Sequence, residues 1–207
     1  MKSEEEIDSF IRKIFTGTER GAHTYDHTKR VYVIAIKIGE TLGANLRILS
    51  VAALLHDVGR PFEKETGISH AIQSGVMSRQ VLRNLGYNES EIEQVIQVIR
   101  THRFSENLQP TSLEGEILSD ADKLDAMGAI GVYRAIAQAT TTGVGIEGFL
   151  KHANEKLLKL YDLMQTEPAK EMAKERHEVL SNFVKQLINE MQNEKNHRVV
   201  FSRYNSK

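Results

Sequence analysis

Apolar residues in this chain recur with the period of a helix from its first turn to its last. No stretch alternates apolar and polar side chains with strand period. That pattern restricts the fold more than any single motif does. Ser3 with Glu6 makes a capping-box pattern ahead of Ile7, Phe10, Ile11 and Ile14. Thr24 or Asp26 would cap a second helix, whose apolar positions Val31, Ile34, Ile36 and Ile38 run to Gly39 or Gly43. Asn45 opens a third. A fourth runs from His70 to Leu85 with Ile72, Val76, Val81, Leu82 and Leu85, and stops at Gly86. Asn88 and Glu91 form another capping box before Ile92, Val95, Ile96 and Ile99. The segment "SDADKLDAMGAIGVYRAIAQA" reads as one helix rich in small residues, suited to close packing at the centre of a bundle. Gly128 and Gly131 lower its propensity, so neighbours must hold it. Two long helical patterns close the chain, Ile146–Leu163 and, after a first-turn Pro168, Ala169–Met191. "RPFEKETGIS", "RFSENLQPTSLEG" and "TTTGVG" read as loops. The expected fold class is all-α, one helical bundle over residues 1–207.

Composition narrows the partners. A length of 207 residues suits one well-buried core and is short for two. The net charge of −1 gives no bulk attraction to a nucleic-acid polymer or a membrane surface. With no cysteine, disulfides, thiolate metal sites and cysteine nucleophiles are all excluded. The N-terminal "MKSEEEIDSF" lacks the basic-then-apolar order of a signal peptide, and the longest apolar runs fall short of a membrane span. A cytoplasmic protein is the expectation, with oligomerisation left open.

"ALLHDVGRP" carries the chemistry. An apolar run ends on His56 and Asp57, and Gly59 and Pro61 then break the chain. Adjacent residues on a helix diverge by about 100°. The pair can therefore meet one ion only where the helix terminates, or by bridging two ions. His27, His70 and His102 also sit at helix ends or beside loops, with Asp120, Asp122 and Asp125 clustered further on. Imidazole nitrogens and carboxylate oxygens together suit a divalent cation.

The order His27, His56-Asp57, Asp122 resembles the H…HD…D signature of the HD-domain metal-dependent phosphohydrolases. The flanks "HTKRVYVIA", "AALLHDVGRP" and "SDADKLDAMGAIGVYRA" agree with it, over about residues 20–140. The tail "EPAKEMAKERHEVL" is similar to the C-terminal helix of a small bacterial and archaeal subgroup, with helices over 145–195 packing on the signature region. The resemblance implies an α-helical bundle with a central metal site and hydrolysis of a phosphate ester or anhydride, most often of a nucleotide. It implies His27, His56, Asp57 and Asp122 as metal ligands, Asp122 being chosen because "ADKL" fits the family's "ADxL". Asp120 would then be a helix N-cap. A second ion would draw on His70 and His102, although two-metal branches often carry adjacent histidines where this chain has His102-Arg103.

Asp57 is also the expected proton acceptor for an attacking water. His23, four residues before His27, is the expected phosphate contact or proton donor. Lys123, Arg103 and Arg60 are expected to bind substrate phosphate, and Arg176-His177 to make a structural contact. The cofactor would be one or two divalent ions from among Mn, Ni, Co, Mg, Fe and Zn, and the partner a small phosphorylated molecule. The Gly-Tyr-Pro motif of the cyclic-dinucleotide branch is absent, and "RPFEKE" does not reproduce the acidic pair of the alarmone branch. Two other readings stay open, an HD-type di-iron oxygenase and a catalytically silent nucleotide-binding module.

Overall fold

The structure, a computed structural model, describes residues 2–16, 25–103 and 108–204. Helices α1 (Lys2–Phe15), α2 (Tyr25–Leu42), α3 (Leu46–Leu55), α4 (Arg60–Thr66) and α5 (His70–Asn84) come first. They are followed by α6 (Glu89–Thr101), α7 (Leu113–Asp125), α8 (Gly128–Thr141), α9 (Gly145–Glu155) and α10 (Glu167–Tyr204). No strand occurs among the described residues, and the all-α expectation holds. No helix among them is long and apolar enough to cross a membrane.

Helix α3 lies at the centre, against α1, α2, α6 and α7, because nearly all its side chains are apolar and buried. Asn45 starts it as expected, its side chain accepting from the amides of Arg47 and Ile48. Ile48, Leu49, Val51, Ala52, Ala53, Leu54 and Leu55 are all buried, and Arg47 and Ser50 are the helix's polar side chains. A helix so largely apolar must be enclosed by neighbours, so whatever follows it is delivered to the middle of the fold. Helix α6 closes its N-terminus with the expected capping box of Asn88 and Glu91 and buries Ile92, Val95, Ile96 and Ile99.

Several local expectations are corrected. Helix α1 begins one residue before Ser3, its expected cap. Thr24 lies outside the described residues, and Asp26 falls within the first turn of α2 rather than before it. "RPFEKET" is helix α4, not a loop: Pro61 sits in its first turn, where a missing N–H costs nothing, and Gly67 closes it at φ 68°. The expected long helix through "SDADKLDAMGAIGVYRAIAQA" is two helices. The chain breaks after Asp125, and Gly128 takes φ +67°, a conformation that L side chains resist. Arg176 secures this break by donating to the Leu124 carbonyl at 2.6 Å, so the contact expected of it is present.

The pattern Ile146–Leu163 also divides. Lys156, at φ −128° and ψ −62°, ends α9, and two short 3₁₀ turns, Leu157–Lys159 and Tyr161–Leu163, follow. Helix α10 extends well past the expected Met191, to Tyr204.

Asp120 is no N-cap of its own helix. From within α7 its buried carboxylate accepts from the amides of Gln165 and Thr166 and from the Thr166 hydroxyl at 2.8–3.1 Å, clasping the start of α10.

On α5 the buried face is His70, Ala71, Ser74, Gly75, Ser78 and Leu82, whereas Ile72 and Val76 are 41% and 69% exposed. Small side chains there let the turn after α3 approach closely. A Cβ on Gly59 would stand 2.7 Å from both the His70 carbonyl oxygen and the Ser74 amide nitrogen, and the Gly59 N–H donates to Ser74 Oγ at 2.9 Å.

Candidate metal centre and adjoining cavity

His56 occupies the C-cap of α3, and Asp57 follows in a turn that closes through the Arg60 N–H to the Asp57 carbonyl at 2.9 Å. The two side chains are fully buried, and the end of the helix lets both face one point. His27 enters from the first turn of α2, His70 from the first residue of α5, and His102 from the C-cap of α6. Asp122 enters from α7, its carboxylate 29% exposed where the centre opens outward.

Asp57 divides the cluster in two. Its Oδ2 lies 3.7 Å from His27 Nε2 and 3.8 Å from His56 Nε2. Its Oδ1 lies 3.3 Å from His70 Nε2 and 3.8 Å from His102 Nε2. Asp122 Oδ1 stands 3.4 Å from His27 Nε2, on the first side. Within each group, His27–His56–Asp57 and Asp57–His70–His102, ligand-capable atoms lie within 4.8 Å of one another.

Every imidazole in the cluster points Nε2 inward and engages Nδ1 elsewhere. His56 Nδ1 donates to the Ala53 carbonyl at 2.8 Å and His102 Nδ1 to the Ile99 carbonyl at 2.5 Å, each one turn back on its own helix. His27 Nδ1 faces Asp125 Oδ2 at 2.8 Å, and His70 Nδ1 faces Glu63 Oε2 at 3.1 Å. Nε2 is therefore left with its lone pair directed at the centre, as a metal-ligating imidazole requires. His70 Nε2 is buried without a hydrogen-bond partner, an expensive state unless something else satisfies it. Neutral nitrogens and anionic oxygens converging from five helices fit a divalent cation, and the Asp57 carboxylate can reach to both sides.

Charge is tuned to match. Burial pushes His27 down to about 4 despite its bond to Asp125, with Arg134 adding to the effect. Burial and the neighbouring His56 push His102 down to about 4 as well, and burial also lowers His70. All three stay neutral at pH 7. At Asp122 burial acts to raise the pKa but is outweighed by His27, His102 and His56, which hold the carboxyl well below its usual range.

A cavity of about 470 Å³ adjoins the centre through Asp122 and His102. Six basic side chains line it, Arg60, Lys64, Arg103, Lys123, Arg134 and Lys156, against the carboxylates Glu63 and Asp122. A chain of net charge −1 thus concentrates positive charge in one recess. Lys156 is lowered by burial and by the like charges of Arg60, Arg103 and Arg134. Gln138 and His152 add polar groups, and the apolar part of the wall includes Gly131 and Ala135 of α8 and Leu157 and Leu160 after α9.

Of the side chains expected to bind phosphate, Arg60 stands 3.5 Å from Asp57 Oδ2 and 3.3 Å from Glu63 Oε2. Arg103 contacts Glu63 Oε1 at 2.6 Å. Lys123 is only 6% exposed and donates to Ser119 Oγ at 2.7 Å. His23, expected as a proton donor, lies outside the described residues. Sequence reasoning passed over Glu63, Arg134 and Lys156, and noted Asp125 in the acidic cluster without giving it a role. Asp125 carried a signal, since it follows Asp122 by three residues on one helix face. Glu63 carried none while its segment read as a loop.

Inward-facing imidazoles and carboxylates beside a cationic recess define an α-helical bundle able to hold a divalent metal ion. The HD-domain family model matches residues 24–127, and the chain belongs to that family. It is 34% identical over 198 residues to YpgQ of Bacillus subtilis, covering 90% of this chain and 93% of that one. A crystal structure of YpgQ in complex with ADP superposes with a TM-score of 0.72 at 30% identity, covering 90% of this chain and 96% of that one. An HD-superfamily hydrolase from Bacillus thuringiensis superposes with a TM-score of 0.71 at 32% identity, covering 92% and 97%. Ribonuclease Y of Treponema denticola is 28% identical over 116 residues, 56% of this chain but only 21% of its own length.

Proposed function

We propose that this chain is a divalent-metal-dependent phosphohydrolase acting on a nucleotide. One observation carries the reading: Asp57, set between two pairs of inward-facing imidazoles, lies beside a recess lined by six basic side chains. Phosphate esters and anhydrides resist attack because their oxygens repel nucleophiles, and clustered cations offset that charge. The nucleotide preference draws support from the ADP complex of YpgQ and from a cavity large enough for a small phosphorylated molecule.

His27, His56, Asp57 and Asp122 would hold one ion, and Asp57, His70 and His102 a second. A divalent ion held there lowers the pKa of water and neutralises charge building on a phosphoryl group. The remaining work falls to the chain. Asp57 accepts a proton from the attacking water as it is oriented towards phosphorus. Arg60, Arg103 and Arg134 bind phosphate oxygens from the cavity wall, and Lys156 closes over them from the end of α9. The apolar run of α3 keeps His56 and Asp57 from swinging out of line.

The test is a panel of nucleoside mono-, di- and triphosphates and cyclic nucleotides with Mn, Co, Ni, Mg, Fe or Zn, with products identified. Metal-dependent hydrolysis that is lost in His56→Ala, with helical content retained, is expected. No turnover with any pairing would defeat the reading and leave the silent binding module. Oxygen consumption by iron-loaded protein in place of hydrolysis would favour the di-iron oxygenase.

A further inference from the structure

Asp125 faces away from the cation centre and is fully buried, yet it holds two guanidinium groups, Arg30 and Arg134, as well as the His27 imidazole. Its Oδ1 accepts from Arg30 Nε at 2.6 Å. Its Oδ2 accepts from Arg30 Nη2 at 3.0 Å and from Arg134 Nη1 at 2.8 Å, and lies 2.8 Å from His27 Nδ1. Arg134 Nη1 also donates to the Asp125 backbone carbonyl at 3.0 Å. The spacing explains the convergence. His27 and Arg30 are one turn apart on α2, and Asp122 and Asp125 are one turn apart on α7, so two packed helices meet through both pairs.

A buried network of this kind is a poor device for stability alone, because well-packed apolar side chains would hold the helices at least as well. The imidazole gives it a purpose. Neutral imidazole exists as two tautomers, and only the one protonated at Nδ1 turns a lone pair at Nε2 towards Asp57 and Asp122. A carboxylate already gripped by two guanidinium groups offers acceptors and nothing else, so His27 Nδ1 must be the donor. His56 and His102 obtain the same result from backbone carbonyls, which no substitution can change, and Glu63, behind His70, is partly exposed. Asp125 is the buried side chain on which the outcome depends.

We propose that Asp125 is a positioning residue that fixes His27 in the tautomer presenting Nε2 to a cation and, with the same carboxylate, holds Arg134 at the cavity wall. The proposal rests on the metal-centre reading above. Leu at this position keeps the size but offers His27 Nδ1 no acceptor. The Nδ1–H tautomer is then no longer favoured, and the other, whose hydrogen points into the centre, competes with the cation.

The experiment is calorimetric titration of Mn²⁺ into metal-free protein without substrate, with folding followed by circular dichroism. Asp125→Leu should weaken Mn²⁺ affinity about 10–100-fold, the range typical of lost outer contacts to metal-ligating histidines. Arg134→Met leaves the His27–Asp125 bond in place, so Mn²⁺ affinity should stay near parental while the KM for the nucleotide rises. A folded Asp125→Leu chain that binds Mn²⁺ as the parent does, even if less stable, would overturn the proposal and leave a structural clamp. Should that variant fail to fold, long-range ¹H–¹⁵N spectra of the metal-free parent decide: His27 protonated at Nδ1 is expected, and protonation at Nε2 overturns it. A parent that binds no Mn²⁺ removes the metal reading as well; parental binding with an unaffected variant removes this proposal alone.

Discussion

His70 Nε2 stands 3.3 Å from Asp57 Oδ1, on the opposite side of that carboxylate from His27 and His56. If both sides hold an ion, the parent chain should bind two Mn²⁺ and His70→Ala one, with the tighter site unchanged. Elemental analysis after gel filtration gives the count. Two ions in His70→Ala, or one in the parent, would contradict the two-sided arrangement.

Gly59 controls the same half of the centre without touching it. A Cβ there would meet the backbone of His70 and Ser74 at 2.7 Å, so Gly59→Ala must push α5 away from the turn that carries Asp57. Overpacking of this kind costs about 1–3 kcal/mol, measurable by urea unfolding. Occupancy of the site formed by His70 and His102 should fall before that formed by His27 and His56. Parental stability together with two bound ions would refute the close-approach account.

Burial holds His27 and His102 near 4, whereas unfolding returns them to about 6.5. Between those values the unfolded chain takes up more protons than the folded one, so acid favours unfolding. The stability of the metal-free protein should fall as pH drops from 6.5 towards 4, and these imidazoles should add no slope above about 7. Glu63 acts in the same direction lower down. Burial would raise its pKa, but His70 and Arg103 outweigh that and bring it to about 2. Urea denaturation at pH 7.5, 6 and 4.5 checks the sign, and stability constant or rising across that span would contradict it.

Removal of metal should loosen the whole fold, because the ligand-bearing segments belong to five different helices. At a free ion concentration of 100 times Kd, binding adds about 2.7 kcal/mol. For a chain of this size that corresponds to a rise in Tm of roughly 5–10 °C. Thermal melts with EDTA and then excess Mn²⁺ should show that shift reversibly. Identical melts would mean that the ion is not held between elements.

The centre was legible where chemistry overrode pattern. His56 and Asp57 close an apolar run, and no packing argument explains two polar side chains there, so the sequence itself marked them. Glu63 was hidden because Gly59, Pro61 and Gly67 suggested a loop, whereas Pro61 begins a helix and Gly67 ends one. Asp125 lies one turn past Asp122, but two carboxylates at that spacing also suit an ordinary solvated helix face; only tertiary packing against Arg30 and Arg134 gives it a role.

The face of α5 misled for a physical reason. Ile72 and Val76 suggested the buried side, yet the helix buries Ser74, Gly75 and Ser78, because close approach to the Gly59 turn rewards small size over hydrophobicity. Gly128 lowered the helix propensity of its segment in the sequence, but its positive φ and the packing of Arg176 turned that weakness into a break.

The most direct measurement is hydrolysis of a nucleoside triphosphate in ¹⁸O-labelled water, with the protein metal-free, reloaded with Mn²⁺, or reloaded as Asp57→Ala. The account predicts one labelled oxygen per cleavage on a phosphoryl product of the reloaded parent, and none from the metal-free protein or the variant. Equal labelling in all three, or cleavage without incorporation from water, would contradict it.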